Sequence, residues 1–110
     1  MPRWVYGPIG RVRGKDVFLT RHAIRRIRER GISAREILLV LRHPCMVLWD
    51  TRPASLRGYR RRVYVSRRYM LIVVVEEDSS VVIVTSWRTT KDIDREVRKK
   101  IARGEWVEGA

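Results

Sequence analysis

Residues 70–75 read Met70-Leu71-Ile72-Val73-Val74-Val75, "MLIVVV", an unbroken run of apolar side chains. A strand with one face in water alternates apolar and polar residues, so this run predicts a central strand covered on both faces. It lies inside a series of strand-like segments: Cys45 to Asp50, Tyr59 to Ser66, Tyr69 to Glu76 and Ser80 to Trp87. The turn-like stretches "TRPASLRG", "SRR" and "EDSS" separate them, and the short links between the last three favour antiparallel hairpins.

Working outward toward the N-terminus, the period changes from strand to helix. A first helix is predicted from Arg21 to Arg30, with Thr20 as its N-cap and Gly31 as the left-handed residue that stops it. On a helical wheel Ala23, Ile24 and Ile27 share one side, and His22, Arg25, Arg26 and Glu29 share the other. Ser33 and Glu36 have capping-box spacing ahead of the apolar run Ile37 to Leu41, so a second, buried helix follows and ends near Arg42, before Pro44. Toward the C-terminus, Ile93, Val97 and Ile101 mark a last helix over about Lys91 to Arg103, capped by Thr89 or Thr90. The expected architecture is α+β: two N-terminal helices packed on a roughly four-stranded, mainly antiparallel sheet, plus a C-terminal helix.

The length of 110 residues suits one domain with one modest core. Residues 1–17, rich in glycine, read as a turn-rich arm with at most a short strand; 18–88 form the core and 89–110 the last helix and tail. A lone cysteine, Cys45, permits no intrachain disulfide and no cysteine-based metal cluster, and it reads as a small core or strand residue. No metal or cofactor motif is present, and no run is long enough to span a membrane, so a cytoplasmic protein away from membranes is expected.

The 25 basic residues against 12 acidic ones give a formal charge of +13. Such an excess points to a polyanionic partner, with nucleic acid first. Arginine supplies 21 of the 25, and a guanidinium pairs bidentately with phosphate and stacks on bases as an ammonium cannot. Dense charge networks are also a route to heat stability, a thermophile-like composition that explains part of the same excess. Arg60, Arg62 and Tyr64 fall on one face of their strand, suited to phosphate contacts and base stacking or, alternatively, to a solvated edge strand. Arg25 and Arg88 extend that basic surface. His22, among arginines at a helix start, is a candidate general base, with Arg26 one turn later to hold a scissile phosphate. The plainer alternative is a histidine that only caps, stacks or meets water.

The segment Arg21–Ser33, "RHAIRRIRERGIS", resembles the His-Ala-x-x-Arg-x-x-x-Arg-Gly-Ile-Ser signature of a small uncharacterised prokaryotic domain family related to the RelE/ParE-type toxins. The match falls on His22, Ala23, Arg26, Arg30, Gly31, Ile32 and Ser33. The stretches "EILLVLRHP", "RRVYV", "YMLIVVVEED" and "VVIVTSW" are similar in order, which extends the resemblance over about residues 18–88. The resemblance implies a RelE-like fold and kinship with metal-independent ribonucleases, with His22, Arg26 or Arg30, and Thr85 or Ser86 lining the site. It also implies an acidic antitoxin as partner. Because relatives include gyrase-directed poisons and members without established activity, three readings stand. They are an RNA-directed, toxin-like endoribonuclease, a non-catalytic nucleic-acid-binding module, and a basic interaction protein receiving an acidic partner. The oligomeric state is open, a dimer included.

Overall fold

A computed structural model describes residues 3–109. Along the chain run β1 (Val5–Val12), β2 (Lys15–Thr20), α1 (Arg21–Glu29), α2 (Ala34–Arg42), β3 (Met46–Asp50) and β4 (Arg60–Ser66). There follow β5 (Leu71–Glu77), β6 (Val81–Arg88), α3 (Ile93–Ala102) and β7 (Trp106–Glu108). All strands join one seven-stranded sheet in the order β1-β2-β6-β5-β4-β3-β7.

The apolar run behaves as its composition requires. Leu71 to Val75 are all buried, and their side chains alternate between two cores. Leu71, Val73 and Val75 pack with Ala23 and Ile27 of α1 and Ile37, Val40 and Leu41 of α2. Ile72 and Val74 pack on the other face with Ile93 and Val97 of α3 and with Trp106. Helices therefore cover both faces of the sheet.

This corrects the expected two N-terminal helices on a four-stranded sheet. The domain is α+β, but its sheet has seven strands and is mixed, because β2 runs parallel to β6 with Val17 beside Val81 and Leu19 beside Ile83. The extra strands come from the two ends of the chain. Within the glycine-rich arm, β1 and β2 form a hairpin whose two-residue loop, Arg13 and Gly14, has positive φ at both positions (50° and 77°), the handedness that matches strand twist. Gly10 is not a turn residue: a Cβ there would lie 2.9 Å from Leu38 Cδ1, so its bareness lets α2 approach β1. After α3, the three residues of β7 pair antiparallel with β3, setting Trp106 beside Asp50.

The helix ends follow local chemistry. Thr20 Oγ1 accepts the Ala23 N–H at 3.0 Å, and Gly31 takes φ +63° just past the end of α1. Ser33 and Glu36 form both bonds of a capping box. At α3 the cap is Asp92, not Thr89 or Thr90, because Thr89 is still engaged with the sheet: its N–H donates to the Met70 carbonyl at 2.7 Å. Cys45 is exposed just before β3, its thiol donating to the Val65 carbonyl at 3.2 Å.

Candidate nucleic-acid interface

Because β2 and β6 are parallel, the end of β2 and the start of α1 emerge beside Val84, where a register shift interrupts the β5–β6 pairing. The Arg21 N–H donates to the Trp4 carbonyl at 3.0 Å and its guanidinium to the Tyr6 hydroxyl at 3.1 Å, which draws the N-terminal segment against the helix start. From the other side comes the β3–β4 loop. The buried Glu76 carboxylate accepts the Ser55 and Leu56 N–H groups, each at 2.9 Å, and thereby holds that loop over the sheet.

Between these walls lies a concavity of about 390 Å³, lined by Trp4, Thr20, Arg21, His22, Ser55, Arg61 and Val84. His22 and Arg21 are exposed at its rim. Arg61, with its side chain only 14% exposed, stands between two buried carboxylates: Nε is 3.6 Å from Asp50 and Nη1 is 3.4 Å from Glu76. Its Nε makes no hydrogen bond, so the guanidinium is charge-compensated but not fully saturated as a donor. An imidazole, the Arg21 guanidinium, hydroxyls and an indole thus share one open basin, walled by the carboxylate-paired Arg61, a donor set suited to a phosphodiester.

The remaining residues singled out in the sequence are spread over the domain. Arg26, Arg30 and Thr85 do not line the basin. Arg25 is exposed on α1, and Arg26 lies 3.4 Å from Glu29. Arg30 donates to the Ser86 carbonyl at 2.7 Å, which ties α1 to β6. Thr85 pairs with Val74 on the α3 face of the sheet, the face that also carries Arg61 and Val84 of the basin, but it is not among the residues that line the basin. Ser86 is buried with its hydroxyl donated to the Ile72 carbonyl at 2.8 Å. Neither β6 hydroxyl is thus among the groups that line the basin with His22.

On β4 the expected stacking face is only partly open. Tyr64 is buried, accepting from Arg13 at 2.9 Å and donating to Glu77 at 2.6 Å. Burial first, and the Glu77 hydrogen bond second, push its phenol up to about 12. Arg62 lies 3.7 Å from Glu77. Arg88 pairs with Glu36 at 2.8 Å and donates to the Tyr69 carbonyl, joining β6 to α2; that hydrogen bond is the main reason Glu36 titrates below its ordinary range. Sequence reasoning missed Arg21, Ser55 and Arg61. The signal for Arg61 was a charge on the apolar face of its strand, which the structure pairs across the ladder with Glu76. Among the described residues, no group of three or more His, Cys, Asp or Glu could hold a metal ion, and no helix is long and apolar enough to cross a membrane.

Fold and basin together define a small, strongly basic α+β domain with a mixed sheet and an open cationic site. Residues 19–88, well over half of the chain, match the family described as a domain of unknown function (DUF4258), and the chain belongs to that family. The match runs from the end of β2 through β6, so it contains His22 and Arg61 and leaves out β1, α3 and β7. No curated protein and no solved structure matches the chain.

Proposed function

We propose that this protein is RNA-directed and toxin-like, gripping a phosphodiester in the basin where His22 meets Arg21 and Arg61. The observation that carries the reading is that convergence, in a chain with a net charge of +13. In the catalytic form, His22 removes the proton from a ribose 2′-hydroxyl, whose oxygen attacks the adjacent phosphorus. The 5′-oxygen leaves with a proton taken from water, and the His22 imidazolium returns its own to solvent, giving a 2′,3′-cyclic phosphate and a free 5′-hydroxyl. Arg21 offsets the charge that grows on the non-bridging oxygens, while Arg61, already engaged by Asp50 and Glu76, forms the wall of the basin. The kinship with RelE/ParE-type toxins belongs to this proposal and rests on the His22–Ser33 resemblance. An acidic partner covering the same basin would compete with RNA.

The commitment of the Ser86 hydroxyl to the Ile72 carbonyl, with neither Ser86 nor Thr85 lining the basin, favours a second reading, a binding module in which His22 is a contact only. Incubation of unstructured RNA in EDTA separates the two. Cleavage is expected to yield cyclic-phosphate ends and to vanish in His22→Ala, while Arg21→Ala weakens binding and lowers the salt dependence by about 0.7 in log–log slope, one phosphate contact on a single strand. Tight, salt-sensitive binding without cleavage establishes the second reading. Absence of salt-sensitive RNA binding overturns both.

A further inference from the structure

Across the Thr51–Tyr59 loop from the His22 basin lies a second concavity of about 480 Å³. Its walls include Trp49, Arg52, Tyr59, Arg60 and Val107, and it shares Arg61 with the first basin. Register sets Trp49 opposite Arg62, and the guanidiniums of Arg60 and Arg62 lie 4.0 and 4.2 Å from the indole centroid. The two cations are not equivalent. Arg62 is close to Glu77, whereas Arg60 is exposed and has no carboxylate within 4.0 Å among the described residues. Arg60, whose cross-strand neighbour is Glu77, thus makes no ion pair within 4.0 Å and is held against a half-buried aromatic face. Val107, 47% exposed, continues the apolar floor. A planar π surface carrying an exposed, unpaired guanidinium complements a nucleobase with its phosphate; Arg52, exposed at the rim, is held by Asp50 at 3.4 Å.

We infer that this concavity is a stacking subsite for an unpaired polynucleotide strand: a base takes the place of the exposed Arg60 guanidinium on the Trp49 indole, Arg60 turns to its phosphate, and the strand passes over Arg61 into the His22 basin. The inference rests on the RNA reading above and deepens it by naming the substrate as single-stranded. A duplex keeps its bases stacked on one another and has none to offer the indole.

Fluorescence anisotropy of a labelled oligouridylate, against an RNA hairpin of equal length, tests it. Trp49→Ala is expected to weaken the single strand about fivefold to a hundredfold, the usual range for losing one stacked base, and to leave the hairpin unchanged. Trp49→Phe, which keeps the packing and an aromatic face, should retain most of the affinity, and Arg60→Gln should lower the salt slope of single-strand binding by about 0.7. If Trp49→Ala melts, Trp49→Phe and Arg60→Gln decide the matter. An unchanged salt slope in Arg60→Gln, or a hairpin bound as tightly as the single strand, overturns the subsite. Should Arg21→Ala weaken RNA while the Trp49 and Arg60 variants do not, the subsite fails and the RNA reading survives; if no variant or wild-type protein binds RNA, both fail.

Discussion

Replacing Glu76 by alanine should release the Thr51–Tyr59 loop and destabilise the domain by about 3–5 kcal/mol, the range for removing one partner of a buried ion pair. Glu76 is 1% exposed, accepts the Ser55 and Leu56 N–H groups at 2.9 Å, and faces Arg61 Nη1 at 3.4 Å. Hydrogen bonds to a charged group contribute about 1.5–3 kcal/mol each, so two backbone donors alone reach the lower bound. Arg61 would keep Asp50 at 3.6 Å, which holds the cost below that of a fully orphaned guanidinium. For a domain of this size about 3 kcal/mol corresponds to a fall in Tm of about 12 °C or more. Glu76→Gln keeps an acceptor but loses the charge, and should cost about 2 kcal/mol. Urea denaturation followed by circular dichroism measures both losses, and hydrogen exchange reads the loop directly: the Ser55 and Leu56 amides should exchange faster than β5 amides. If Glu76→Ala stays within about 1 kcal/mol of wild type, below the cost of a single charged hydrogen bond, the carboxylate does not hold the loop.

Two titrations test the charges around the α1/α2 face of the sheet. Tyr64 has a folded pKa of about 12 against an ordinary 10.0, so its neutral phenol stabilises the fold fully below 10 and ceases to as pH rises through 12. Subtracting the alkaline absorbance of Tyr64→Phe from that of wild type should isolate a phenolate appearing near 12; a component near 10 would mean that Tyr64 is solvated. Glu36 moves the other way: the Arg88 hydrogen bond and the Ser33 N–H lower its folded pKa below 4.5. Its contribution is present above the ordinary carboxylate range and lost as pH falls through the lowered value. A carbonyl-carbon NMR titration should therefore place the Glu36 midpoint below 4.5 and return it toward that value in Arg88→Gln; a midpoint unmoved by that substitution removes Arg88 as the cause.

Which elements could be read in advance depended on how far apart their determinants lie. The starts of α1 and α2 are fixed within four residues, by Thr20 against Ala23 and by Ser33 against Glu36, so sequence alone places them. The strands β3 to β6 carry their own apolar patterns and end within two residues of where those patterns end. The hairpin of β1 and β2 was obscured because glycine has more than one cause. Gly10 looks like a turn residue, yet its reason is Leu38 of α2, about thirty positions away along the chain. The parallel pairing of β2 with β6 and the addition of β7 to β3 are likewise contacts between distant segments, and no local period records them.

The site divides along the same line, with charge as the reason. A helical wheel finds His22 beside Arg25 and Arg26 because those neighbours are sequential, but the basin takes its guanidiniums from Arg21, oriented through Trp4 and Tyr6, and from Arg61, lodged between Asp50 and Glu76. With 25 cations and 12 anions, one-to-one pairing leaves 13 cations over, and position in a strand does not say which they are. Arg60, Arg61 and Arg62 are consecutive, yet one rests on an indole with no carboxylate within 4.0 Å, one bridges two buried carboxylates and one lies 3.7 Å from Glu77. An arginine whose charge is already met must lose that contact before it can take a phosphate, whereas Arg60 need lose only an exposed stack. The pattern of pairing, invisible until the sheet brings its carboxylates into place, is thus what separates guanidiniums that hold this domain together from those free to meet a polyanion.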